Sequence, residues 1–443
     1  MRHMSLAADG MGLALGGLRR LAGLEVLDRL GVRERVEGWV QAGSRGGFTA
    51  LTATGRQFAR ASQAVRGAPA RQTPRRGSDL FDLTPDDEQQ MLVETFADFA
   101  GTHLRPMARE ADEAQSTPDK FAAMATEIGA MVLGIPSDVG GVVDERSAVT
   151  GVLALEALAH GDMGLAAGIM APAAVASVLS LHGDADQQAA YLPPFAGDDP
   201  PTAALAIAEP RPLFDPLALR TTARRVGDDL VIDGVKALVP HATALELVCA
   251  AVQVEGEGPA LVLIEAGAEG LSARAEPTMG VRAAATGELA MTGVRVPRSA
   301  VIGDGDPTVY RDVVARSRIA WAAAATGTAQ AVLDHVIPYV KERTAFGEPI
   351  AHRQAVAFMI SNIAIELEGL RLATYRAASL ADQGKPFGAA AAVARQLATE
   401  KGMQIGSDGV QLLGGHGYVK EHPVERWYRD LRAAGLVDGG LLV

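Results

Sequence analysis

Asp438 stands in Val437-Asp438-Gly439-Gly440, a lone carboxylate among apolar and glycine residues. Burial in such a setting raises an aspartate pKa from about 3.9 toward neutrality, which equips it as a base. Three stretches upstream mix cations, aromatics and glycines. They are Arg343-Thr344-Ala345-Phe346-Gly347, then Gln411-Leu412-Leu413-Gly414-Gly415-His416-Gly417-Tyr418, then Pro423-Val424-Glu425-Arg426-Trp427-Tyr428-Arg429-Asp430. The pair Gly414-Gly415 permits close backbone approach of a ligand, or simply ends a helix. No strand precedes it, so it is not a Rossmann fingerprint. The histidines show no metal-ligand spacing. The single cysteine, Cys249, lies in the apolar run Leu245–Val252 and reads as a buried strand residue.

These residues need rigid elements to hold them. Two apolar-periodic segments, about 353–383 and 388–412, predict a helical hairpin. A further long helix is expected at about 309–341, with Ala322–Ala325 allowing close helix packing. Before it, residues 202–302 change period from 3.6 to 2 and predict a small β domain. Leu219–Arg225 and Leu230–Leu238 flank Gly227-Asp228-Asp229, a hairpin signal. Leu245–Val252, Ala260–Ile264 and Gly287–Met291 continue the alternation. Residues 81–201 predict an all-helical domain with helices at 86–112, 118–130, 146–160, 163–182 and 184–191. Its first helix is expected to start at Thr84 as N-cap with Pro85 at the first position.

Composition narrows the class. A chain of 443 residues is too long for one core. A hydrophobic content of 48 % favours large cores over disorder. The net charge of −12 argues against a nucleic-acid binder. Residues 1–80 differ, with 13 arginines, no lysine and six acidic residues, roughly +7 against −19 for the remainder. They read as a basic helical extension, with 67–79 as a linker. A transit peptide and a peripheral membrane contact through 1–66 are alternatives. No uninterrupted run of about 20 strongly apolar residues is present, so no membrane span is expected. The lone cysteine fits a reducing, cytoplasmic setting.

Taken in order and spacing, the three C-terminal stretches resemble the acyl-CoA dehydrogenase family over about a hundred residues. The resemblance implies an α+β fold of three domains: an N-terminal helical domain (81–201), a middle β domain (202–302) and a C-terminal four-helix bundle (303–443). It implies a dimer of dimers, FAD as cofactor, an acyl-CoA substrate, and an electron-transferring flavoprotein as acceptor. In the family a carboxylate takes the α-proton while the β-hydride goes to flavin N5. The thioester carbonyl is held by a flavin ribityl hydroxyl and by the base residue's own N–H.

Residue by residue, Arg343, Phe346 and Gln354 match the family's flavin-contacting positions on the bundle. An arginine fork suits a diphosphate by charge and geometry. Gln411, Gly414 and Gly415 match the stretch that holds the adenosine end of a neighbouring subunit's flavin. His416 beside them is a flavin neighbour or a turn residue. Asp438 takes the place of the family's usual glutamate, one methylene short. Ser317 sits where other members carry that glutamate and is no base. Arg318 matches an arginine near the carboxylate and substrate. Ile207, Ala208, Val239, Pro240 and Gly440 fall beside the flavin ring, and Phe214 beside the substrate. Here the sequence departs from the family: Ala208 replaces a threonine, Phe214 a serine, and Pro240 offers no N–H. Ring-side donors are lost while the adenosine side is intact. The resemblance therefore supports α,β-dehydrogenation of an acyl-CoA. Three alternatives stay open: a half-site or non-catalytic subunit of a heteromeric assembly, a flavin-free acyl-binding scaffold, and a family oxidase.

Overall fold

The computed structural model describes residues 84–137, 141, 146–197 and 199–443. Contacts divide the chain into Met1–Leu80 and Phe81–Val443, and every described residue belongs to the second unit. The expected helices, linker and membrane contact of 1–80 lie outside the described residues.

Six helices come first: α1 Asp87–Phe99, α2 Arg105–Ala114, α3 Lys120–Glu127, α4 Ala148–Gly161, α5 Met163–His182 and α6 Ala185–Phe195. A π-helical turn, Ala100–Leu104, joins α1 to α2. The cap of α1 is Asp86, not Thr84. Gln89 explains the shift. Its N–H donates to Asp86 Oδ1 at 2.8 Å, and its side-chain oxygen accepts from Asp86 N at 3.1 Å, closing a reciprocal box. Among the described residues α5 alone is long and apolar enough to cross a membrane. It is buried on nearly every side, which accounts for its missing polar face.

Seven strands follow: β1 Ala203–Ala206, β2 Thr222–Val226, β3 Asp229–Val239, β4 Leu247–Val254, β5 Gly258–Glu265, β6 Leu271–Ala275 and β7 Gly287–Pro297. They form one sheet in the order β1-β4-β2-β3-β7-β6, with β5 on the other edge of β4. Strand β6 was not among the expected strands: Leu-Ser-Ala-Arg-Ala alternates, but it is short, carries one large apolar residue, and has four exposed positions of five. On β1 and β4 the period of 2 serves two cores. Leu205, Ile207, Leu247 and Cys249 face α5, α6 and the next long helix. Ala204, Ala206, Val248 and Ala250 face the inside of the β domain. Cys249 is buried, and burial pushes its thiol up to about 12, so it stays protonated and unreactive.

The bundle is α7 Pro307–Glu342, α8 Gln354–Asp382, α9 Gly388–Leu413 and α11 Val424–Ala433. A two-stranded hairpin, β8 Thr344–Ala345 with β9 Glu348–Pro349, joins α7 to α8, and a single turn, α10 Gly415–Tyr418, follows α9. Its alanines Ala322–Ala325 are fully buried, and they bring α7 against α4, α9 and α8. At 36 residues α7 is the spine of the molecule, roughly 54 Å long.

Candidate functional site

The C-terminal end of α7 opens one cleft. Arg343 caps the helix and is followed by the β8–β9 turn, where Phe346 and Gly347 both have positive φ, 57° and 85°. A phenylalanine in that region is strained. Its side chain is nevertheless 96 % exposed, with the Arg353 guanidinium 5.8 Å over the ring. Gly414 ends α9 with φ 58° and ψ −128°, a conformation that excludes a side chain. The cleft between these pieces measures about 750 Å³, and Tyr339, Arg343, Phe346, Gln411, Gly414, Gly415 and His416 line it. Gly414-Gly415 is therefore both a helix cap and a cleft wall. Tyr339 Oη lies 2.9 Å from His416 Nδ1 and donates to Leu413 O at 3.2 Å, fixing the cleft floor. Behind it His335 and His422 are joined at 3.0 Å. Gln354 departs from expectation: it opens α8 exposed and does not line the cleft, although its neighbours Arg353, Ala355 and Val356 do.

The second group of expected residues gathers elsewhere. Val437–Val443 runs as a buried tail between β1 and α7. Gly440 N donates to Leu205 O at 2.8 Å, and Ala208 N donates to Asp438 O at 3.2 Å. Ser317 Oγ accepts from Gly439 N at 3.0 Å, and Trp321 Nε1 donates to Gly439 O at 2.8 Å. Gly439 is required here, because a Cβ would stand 2.5 Å from Leu205 O. Gly440 packs on Pro240, and Leu442 enters the core cluster against which Phe214 packs. Ile207, Ala208, Val239, Pro240 and Gly440 are all buried. The residues expected beside a flavin ring are thus gathered, but they are covered by the chain's own tail.

Asp438 is 8 % exposed. Arg318 Nε lies 3.9 Å from Oδ1 and Arg395 Nη2 lies 3.8 Å from Oδ2. Burial pushes the carboxyl above the usual aspartate range; Arg395 and then Arg318 oppose this. The loop after β1 is held by a residue that sequence reasoning missed. Lys236, fully buried on β3, donates to Ile207 O at 3.1 Å and to Glu209 Oε1 at 3.2 Å. Its burial lowers its pKa to about 8. Its place in an apolar strand, Val235-Lys236-Ala237, was the available signal.

The Arg429-Asp430 pair proves to be a clasp. Arg429 binds Asp112 of α2 through two bonds of 2.9 Å. Asp430 Oδ1 accepts from Val281 N at 2.6 Å, which ties α11 to the β domain.

The fold and the two sites define a three-domain flavoenzyme architecture, and comparison with known proteins gives its family. Family models described as acyl-CoA dehydrogenase N-terminal, middle and C-terminal domains match residues 86–199, 204–294 and 304–440. The mitochondrial short-chain specific acyl-CoA dehydrogenase of Bos taurus is 32 % identical over 392 residues, covering 86 % of this chain and 94 % of that protein. The butyryl-CoA dehydrogenase structure from Megasphaera elsdenii superposes with TM-score 0.74 at 26 % identity, covering 80 % of this chain and 95 % of its own. A chain from a structure described as the electron transferring flavoprotein of Acidaminococcus fermentans gives TM-score 0.74 at 28 % identity, over 80 % of this chain and 94 % of that one. The chain belongs to the acyl-CoA dehydrogenase family, whose members are FAD-binding enzymes that oxidise acyl-CoA thioesters.

Proposed function

We propose that this chain introduces an α,β double bond into an acyl-CoA thioester, with Asp438 taking the α-proton. We further propose that it works in an oligomer, a dimer of dimers, in which the Arg343 cleft of one chain holds the adenosine diphosphate end of a flavin seated in the next. One observation carries the reading. Arg318 beside Asp438 and Arg343 at the cleft are 25 positions apart on α7, roughly 38 Å of helix. The base and the cleft therefore lie near opposite ends of one long helix, which supports each serving a different flavin.

The cleft residues fit the diphosphate end of FAD. Arg343 supplies charge, and Gly414 and Gly415 leave room for close backbone approach. When bound, FAD supplies the hydride acceptor that no side chain provides. The chain's own part is proton chemistry. Asp438 is buried and more basic than a surface aspartate, while Arg395 and Arg318 oppose that rise. The packed tail keeps water away from Asp438, which is 8 % exposed. Resemblance to the Acidaminococcus chain supports an electron-transferring flavoprotein as acceptor.

A second reading has its own observation. Ala208 and Pro240 offer no side-chain donor, and the ring-side residues are covered while the cleft is open. This favours a half-site subunit that lends its cleft to a partner holding the ring. Absorption spectroscopy of the protein expressed alone, with FAD added and then gel-filtered, separates the two. One flavin per chain, bleached by an acyl-CoA, supports the enzyme. A colourless protein that takes up flavin only with a co-purifying paralogue supports the half-site. In the enzyme, Asp438→Asn should retain flavin and lose turnover by about 10²–10⁴-fold; unchanged turnover removes Asp438 as the base.

A further inference from the structure

We propose that Arg395 is the positioning residue of Asp438: its guanidinium, fixed on α9, holds the carboxylate charged and aimed between two helices. The inference rests on the reading of Asp438 as base. Asp438 lies on a tail, and the two residues after it have left-handed φ values of 89° and 74°. The backbone of that tail is anchored through Ser317, Trp321 and β1, but none of these contacts touches the carboxylate. The carboxylate is oriented instead by one arginine per oxygen, Arg318 from α7 on Oδ1 and Arg395 from α9 on Oδ2.

Both contacts are ion pairs too long to be hydrogen bonds. Asp438 Oδ1, Arg318 Nε and Arg395 Nη1 are buried without a hydrogen-bond partner. A lone pair on the carboxylate is thus left free to accept a proton. The charged and titratable groups around it are Arg318 and Tyr310 from α7, Arg395 from α9, and Asp215 from the loop after β1. Of the two cations Arg395 is the more dedicated. Its side chain is 13 % exposed against 27 % for Arg318. Among the described residues each arginine's one ion pair is with Asp438, so burial is what distinguishes Arg395. Burying an arginine is costly unless its charge is used, and the one carboxylate that favours its charge is Asp438, with Arg318 opposing it.

The test uses Arg395→Gln and Arg395→Lys in the FAD-loaded protein, with butyryl-CoA as substrate and an artificial electron acceptor. The acid limb of kcat/KM reports the base in the free enzyme. Removing a charge 3.8 Å away should move that limb upward by about one pH unit in Arg395→Gln, while Arg395→Lys stays near the wild type. A uniform loss at every pH, equal in both variants, overturns the proposal. A second arm needs no turnover. A carboxyl with a raised folded pKa loses stability as pH rises through that pKa, and without Arg395 the loss should deepen. The Tm penalty of Arg395→Gln should therefore be larger at pH 8 than at pH 5, and independent of pH in the Asp438→Asn background. A penalty that is the same at both pH values overturns the proposal. Absent turnover with an intact pH-dependent penalty would instead sink the reading of Asp438 as base and leave the pairing standing.

Discussion

Phe346 shows how the cleft departs from ordinary packing. An apolar ring is held out to solvent from a left-handed backbone, which costs on the order of 1–2 kcal/mol and buries nothing in this chain. Strain of this kind is characteristic of ligand-binding positions. Gly415 beside it gives a sharper test. A Cβ built there meets no atom within 4 Å, so a larger residue is accommodated by the fold. Gly415→Val should melt like the wild type and bind FAD at least tenfold more weakly, by equilibrium dialysis. Unchanged affinity would mean that the dinucleotide does not use this cleft.

The elements are joined by buried charge as much as by apolar contact. Helix α11 is held through Arg426 to Asp162, at 2.9 Å, and through Asp430 to Val281 N. Burial and the neighbouring Asp162 push Asp430 up to about 7. Such a group stabilises the fold fully below its unfolded pKa of about 3.9, and that contribution is lost as pH rises through about 7. Asp430→Asn keeps an oxygen for Val281 N and removes the charge. The wild type should lose Tm between pH 5.5 and 8, and the variant should lose less of it. An equal slope in both would place the titration elsewhere.

At the scale of the whole molecule, the tail decides what is open. Val437–Val443 closes the seam between β1 and α7, and Asp438 is held in place only while it stays packed there. The amides of Gly439 and Gly440 are bonded to Ser317 Oγ and Leu205 O and should exchange slowly in the free protein. With FAD and butyryl-CoA added, their exchange should stay as slow as that of β4, because Asp438 acts from the packed tail. Exchange that rises under saturating ligand would show that the tail leaves its place and that Asp438 does not act from it.

The sequence alone carried the helices, because their apolar periodicity is local and strong: α5, α7, α8 and α9 fall within a few residues of expectation. It also carried Arg343, Phe346, Gln411, Gly414 and Gly415 as a set, since their order and spacing survive on adjacent elements. Strand β6 was not read, because its alternation spans only five residues with small alanines on the apolar side, and the cap of α1 moved to Asp86 because Gln89, three residues on, closes a reciprocal box with it. Gln354 fell outside the cleft although Arg353 and Ala355 on either side of it line the cleft, a matter of local side-chain direction and not of residue type. What lies against Asp438 was decided by tertiary structure alone. Arg318 and Arg395 come from helices 77 positions apart in sequence, and only the packing of α7 against α9 brings their charges to one carboxylate. The closing of the ring-side seam was likewise invisible, because a short apolar tail has no period to read, and its pairing with β1 forms only once the β domain and the bundle are packed together.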